Sequence, residues 1–217
     1  MNLFFVFLFF YKNLFIKIFF YKYNLIMICN LNNINSLMNH QGLNLLVVSY
    51  GGSCSNTLVH ALQQNNYKCI TKIWKKLLCH CPEYIDCNIP VIYIYDNPIK
   101  SFLSMKKRGS GFWDSNQQKL SNNTNVLLSD ENLLKLMIKQ FDSWTIPKRD
   151  NVLVIKASEL FEDSIVNKLE NFLGKKINHF PINYISPNTN LNIENKKLIE
   201  LFEKYKFEID KINNFIF

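Results

Sequence analysis

No acidic residue precedes Glu83, whereas seven lysines do: Lys12, Lys17, Lys22, Lys68, Lys72, Lys75 and Lys76. That half of the chain presents a positive field to anions, which suits a phosphate-bearing ligand. Codon bias in an A- and T-rich genome gives the same pattern, because Phe, Ile, Lys, Asn and Tyr are all heavily used. The Asn-rich stretches carry no functional weight for that reason. A dense basic run and a nucleic-acid-binding motif are both missing despite the net charge of +8, so nucleic acid is not an expected partner.

Regular cysteine spacing is absent as well. Cys29, Cys54, Cys69, Cys79, Cys81 and Cys87 do not form the framework of a small disulfide scaffold, and 217 residues need no such staples. Reduced thiols in a cytosol are the simpler expectation. Cys79-His80-Cys81 with Cys87 suggests zinc, yet neighbouring residues on a strand point to opposite faces and no second ligand pair follows. No metal is expected.

An unbroken apolar run of membrane-spanning length is also lacking. Residues 1–29 are rich in Phe, Leu and Ile, but Lys12, Lys17 and Lys22 interrupt them; a spanning helix needs about 20 mostly apolar residues. A signal peptide starts with its positive region, whereas here the apolar run begins at Leu3 with no charge before it. Residues 1–37 are set apart as a hydrophobic extension with three open readings. It is a single-pass or interfacial anchor, a helix packed on the domain, or translated upstream sequence with the working start at Met27 or Met38. The last is favoured, because Met38 lies just before the first well-formed strand. A cytoplasmic location is expected, with a membrane as partner only if residues 1–29 are a real anchor.

Residues 38–217 then read as one α/β domain. Hydrophobic residues make up 48% and charged residues 19%, which excludes a disordered polymer. The apolar run Leu43–Tyr50 predicts a strand buried on both faces, and further strands are expected at Trp74–His80, Val91–Tyr95 and Asn151–Ile155. Helices are expected over Asn56–Gln64, from Pro98 to about Arg108, from Ser129 through Trp144, and over about Glu162–Leu173 with Gly174 as its stop. A final amphipathic helix places Leu198, Leu201, Phe202, Tyr205, Ile209 and Ile212 on one face. Residues 109–128 are polar and read as a long loop that shapes a pocket. Strands alternating with helices predict a parallel sheet covered on both sides.

The segment Gly51-Gly52-Ser53-Cys54-Ser55-Asn56-Thr57 stands between the first strand and its helix. Glycines let the backbone approach an anion closely, and amides at a helix start point towards negative charge. Both the Walker lysine and a third glycine at the dinucleotide spacing are missing. A tight turn that needs glycine for its dihedrals accounts for the same residues.

From Ser49 to Leu58 the sequence resembles the sulfotransferase loop Thr-Tyr-Pro-Lys-Ser-Gly-Thr-Thr-Trp-Leu, which cradles a 5′-phosphosulfate. Ile92 to Pro98, with Ser104 in the next helix, is similar to that family's 3′-phosphate segment. His80-Cys81-Pro82 resembles the His-x-Pro that carries the catalytic base of cytosolic members. Asn151 to Lys156, followed by Glu159-Leu160, resembles its late strand and corner. The likeness covers roughly residues 43–174 in the family's order.

It implies a P-loop NTPase-like fold and sulfuryl transfer from 3′-phosphoadenosine 5′-phosphosulfate (PAPS) to a hydroxyl or amine acceptor, a carbohydrate among them. It further implies His80 as base, with Gly51, Gly52, Ser53, Cys54, Ser55, Asn56, Thr57 and Ser104 as donor contacts; Lys100, Ser104 and Arg108 lie four apart on one helical face, so Arg108 is expected to add a cation there. Two positions depart from the family. Gly52 stands where the catalytic lysine belongs, and Asp96 where an arginine meets the 3′-phosphate. A relative that binds a nucleotide or anion without catalysis is the alternative these departures favour. A P-loop kinase is a third reading, with no Walker lysine behind it.

Overall fold

The computed structural model describes residues 42–69, 80, 83–123, 125–180 and 193–215. The N-terminal extension 1–37, all but His80 of the expected strand Trp74–His80, and Cys29, Cys79 and Cys81 lie outside that set.

Three short strands form the centre: β1 (Leu46–Val48), β2 (Val91–Tyr95) and β3 (Val152–Lys156). They pair in parallel in the order β1-β2-β3, with Leu46 opposite Val91 and Val91 opposite Val152. Side chains alternate across the sheet, so each run of apolar residues feeds two cores at once. Val48, Tyr93, Tyr95 and Val154 face one side, while Val47, Ile92, Ile94 and Ile155 face the other.

On the second of these faces lie α1 (Ser55–Gln64) and α5 (Ser164–Leu173), through Leu58, Leu62, Ile165 and Leu169. The first face carries α2 (Pro98–Lys107), α3 (Ser110–Ser121) and α4 (Asp130–Thr145). It also carries α6 (Lys196–Lys204) and α7 (Lys206–Asn213). Among the described residues the result is an α/β fold with a three-stranded parallel sheet, seven α-helices and helices on both faces, as the alternating pattern predicts. Among the described residues, no helix is long and apolar enough to cross a membrane.

Local chemistry explains most element boundaries. Pro98 opens α2, where its missing N–H costs nothing, and Asn97 caps it by accepting from Ile99 N and Lys100 N at 2.9 and 3.1 Å. Ser129 caps α4 by accepting from Asn132 N at 3.0 Å, with Asp130 and Glu131 in the favourable first turn. Gly174, at φ 65°, ends α5.

Two expectations are corrected. The polar stretch expected to be a long loop contains α3, whose buried residues are Asn116, Gln117 and Leu120. With two amides on its inner face, no apolar period is visible in the sequence. The single C-terminal helix is two helices that break at Tyr205, whose hydroxyl bonds the Glu131 carboxylate at 2.7 Å. Each half still buries its own pair, Leu198 with Phe202 and Ile209 with Ile212.

Aromatic packing joins α4 to the sheet. Trp144 stacks on Tyr93 at 6.1 Å between ring centroids, and Phe141 meets Tyr95 edge-on at 5.1 Å. Trp144→Ala therefore opens a large cavity beneath α4 and lowers stability by about 3–5 kcal/mol, measurable as a reduced midpoint in urea unfolding.

Candidate functional site

The chain leaves β1 at Ser49 and enters α1 at Ser55, and the turn between them is built by close backbone contact. Gly51 and Gly52 have φ of 102° and 69°, a region that glycine alone occupies without strain. A β-carbon on Gly52 would stand 2.8 Å from the Ser101 carbonyl oxygen and 2.9 Å from its Cα. The turn thus rests directly on the α2 backbone. A β-carbon on Gly51 would meet Asn116 Nδ2 and Met105 Sδ at 2.8 Å and His80 Cε1 at 3.3 Å.

Buried polar groups hold this turn from beneath. The Ser49 carbonyl accepts from His80 Nδ1 at 2.8 Å and from Gln140 Nε2 at 3.2 Å. Tyr93 donates its hydroxyl to Gln140 Oε1 at 3.3 Å, which ties the network to β2. Ser53 Oγ donates to the Ile94 carbonyl at 3.2 Å. Tyr50, fully buried, donates to the Asp96 carbonyl and accepts from the Asp96 amide. The turn after β1 is thereby locked to the exit of β2. Burial raises the Tyr50 hydroxyl far above its ordinary pKa, so it remains a neutral donor.

His80 is 9% exposed. Its pKa falls to about 4, first through burial and then through the nearby charges of Lys119 and Arg108, against the bond to Ser49 that raises it. The ring is neutral at pH 7. Since a carbonyl can only accept, Nδ1 carries the proton and Nε2 keeps its lone pair.

The amides of Gly52, Ser53, Ser55, Asn56 and Thr57 meet no acceptor among the described residues. The left-handed residue Cys54, at φ 59°, offers α1 no side-chain cap. Open donors at a helix start favour negative charge beside them.

The expected site residues are therefore partly assembled. Gly51 to Cys54 form the turn, Ser55 to Thr57 begin α1, and His80 lies against Gly51. Ser53 directs its hydroxyl into the sheet, leaving its amide alone for the cradle. Ser104 is half-buried, whereas Ser101 and Met105 make the contact between α2 and the glycines. Arg108 is exposed with its guanidinium over the Phe112 ring at 4.8 Å, yet its charge reaches His80.

Asp96 turns its carboxylate onto the Asn97 amide at 2.7 Å. Burial raises its pKa, while that bond and then Lys100 and Lys156 hold it down. The first amides of α2 are taken by Asn97, so this helix start, unlike that of α1, is closed by its own cap.

Asn116, Gln140 and Ser101 were not marked by the sequence. Gln140 gives the one hint, as a polar residue between Met137 and Phe141 on a buried stripe. No family model, curated protein or solved structure matches the chain.

Two consequences are measurable. Gly52→Ala drives a β-carbon into the α2 backbone and lowers stability by about 2–4 kcal/mol, read by chemical denaturation. His80 is held below its unfolded value of 6.5, so its contribution to stability is complete above that pH and is lost as pH falls towards 4. Wild-type stability should fall by roughly 3 kcal/mol through that window, and His80→Gln should flatten the slope.

Proposed function

We propose that this is a P-loop-like transferase. It holds an anionic donor at Gly51–Thr57 and moves a sulfuryl group from PAPS to a hydroxyl or amine acceptor, carbohydrate included. One observation carries the reading: a neutral histidine with an unprotonated Nε2 packs against the glycine turn that presents open amides at a helix start. Donor anchoring and proton acceptance are two of the three requirements of the reaction. The resemblance of the turn, of the His-x-Pro segment and of the strand ending at Asn97-Pro98 supports sulfuryl transfer in particular.

In the proposed reaction His80 Nε2 accepts the proton of the acceptor X–H as X bonds to sulfur. The bond between sulfur and the bridging phosphate oxygen breaks, and 3′-phosphoadenosine 5′-phosphate (PAP) departs with its electron pair. An imidazole with a pKa near 4 is a weak base in the free protein. A bound anion adds negative charge beside the ring and raises that pKa towards neutrality, so the donor itself activates the base. Stabilisation of the departing oxygen falls to main-chain amides alone, because Gly52 supplies no charge. Loss of one such donor typically costs about 10²–10³ in rate, which makes this a slow enzyme.

Gly52 and the capped helix start at Asp96-Asn97 favour the second reading, an anion-binding protein without turnover. The two readings part at His80. PAP should bind with a dissociation constant below about 1 mM, a threshold worth roughly 4 kcal/mol, and raise the His80 pKa in an NMR titration. His80→Ala should leave that affinity within a few-fold and reduce sulfate transfer about 10²–10⁴-fold. Binding without transfer by the wild type selects the second reading; no calorimetric signal at millimolar PAP ends both.

A further inference from the structure

We propose that Gln140, backed by Tyr93, is a positioning residue that keeps the proton of His80 on Nδ1 and so leaves Nε2 free to act as a base. The base role rests on the transfer reading above. The placement of the proton needs neither donor nor acceptor molecule.

Gln140 is fully buried on the inner stripe of α4, which it shares with Leu133, Leu134, Met137, Phe141 and Trp144. Packing alone calls for an aliphatic side chain among such neighbours. An amide held out of water there needs partners at both ends. Nε2 donates to the Ser49 carbonyl at 3.2 Å, and Oε1 accepts from the Tyr93 hydroxyl at 3.3 Å. The same Ser49 oxygen accepts from His80 Nδ1 at 2.8 Å. Ser49 lies one residue beyond the last pair of β1 with β2, Val48 with Tyr93, so side chains rather than the ladder take up its carbonyl.

The direction of each bond in this chain is forced. A carbonyl oxygen can only accept, so His80 and Gln140 both turn an N–H towards it. The Gln140 oxygen then faces Tyr93, whose hydroxyl must donate. Burial holds the Tyr93 pKa well above its ordinary value, so that donor is not lost to ionisation.

His80 by itself does not secure this arrangement. If the peptide between Ser49 and Tyr50 turned over, its N–H would face the ring. Nδ1 would then have to accept, and the proton would move to Nε2. With Gln140 in place, that reversal must turn the Gln140 amide and the Tyr93 hydroxyl as well, because each otherwise loses its partner. Lys119 and Arg108 act on the charge of the ring rather than on which nitrogen of the neutral form holds the proton.

The test is the nitrogen NMR spectrum of the His80 ring in the isotope-labelled full chain at pH 7, with His80→Gln assigning the signals. The wild type should show a protonated Nδ1 and an unprotonated Nε2. Gln140→Met fills the same space with a flexible apolar chain. It should move the balance between the tautomers about fivefold towards Nε2–H, the worth of one net hydrogen bond. Tyr93→Phe keeps the ring stacked on Trp144 and should move the balance the same way by a smaller factor.

A proton on Nε2 in the wild type would overturn the assignment. Ring nitrogens unchanged in every variant that folds would do the same, since an amide that merely packs would lower the urea midpoint and leave the tautomer alone. If Gln140→Met does not fold, Tyr93→Phe decides by the same readout. Calorimetry of the wild type with PAP separates this assignment from the reading it rests on. Absence of PAP binding would end the transfer reading with the proton still on Nδ1, whereas an Nε2–H ring would end the assignment with PAP binding intact.

Discussion

The contact of the Gly52 backbone with Ser101, beside that of Gly51 with Met105, Asn116 and His80, is the constraint from which the site follows. A peptide group can lie on a helix backbone only when no β-carbon intervenes, and here a β-carbon on Gly52 would stand under 3 Å from Ser101. That contact brings the start of α1, the flank of α2 and the amide face of α3 to one place. It also explains why the turn is held so firmly. Tyr50 bonds both backbone groups of Asp96, and Ser53 bonds Ile94, so the exits of β1 and β2 act as one unit.

Around this unit the core changes character. Beneath the sheet, contacts are apolar and aromatic, and non-directional burial suffices. At the glycine turn, Ser49, His80, Ser101, Asn116 and Gln140 are buried polar residues within one neighbourhood. Polar groups removed from water require specific partners. Their convergence at the carboxyl ends of parallel strands coincides with the crevice where open α/β sheets bind ligands. Gln140 and the His80 Nδ1 bond together satisfy the Ser49 carbonyl, whereas Asn116 Oδ1 has no partner.

The departures at Gly52 and Asp96 have different consequences. Gly52 cannot carry a side chain at all in this packing, so the missing cation reflects a steric choice of the fold. Asp96 serves its own neighbourhood by accepting the Asn97 amide, with Lys100 and Lys156 nearby. The helix start after β2 is therefore self-contained, and the helix start after β1 carries the open donors.

Much of the framework was legible from local rules. Val91–Tyr95 is a strand of five buried residues, and its continuous apolar run could satisfy nothing but a two-sided core. Pro98, Ser129 and Gly174 mark helix ends through their own backbone chemistry. Gly51-Gly52 announced a turn. Helix α3 was illegible because its inner face is amide rather than aliphatic, and the break at Tyr205 because its cause is Glu131, 74 residues away. Nothing in the order of residues places Asn116 beside His80 or pairs His80 with Ser49. Sequence alone determined which segments become strands and helices, since periodicity and caps act within a few residues. Tertiary structure decided which polar atoms meet and which lack partners, because hydrogen-bond satisfaction depends on groups that only the folded chain brings within 3 Å.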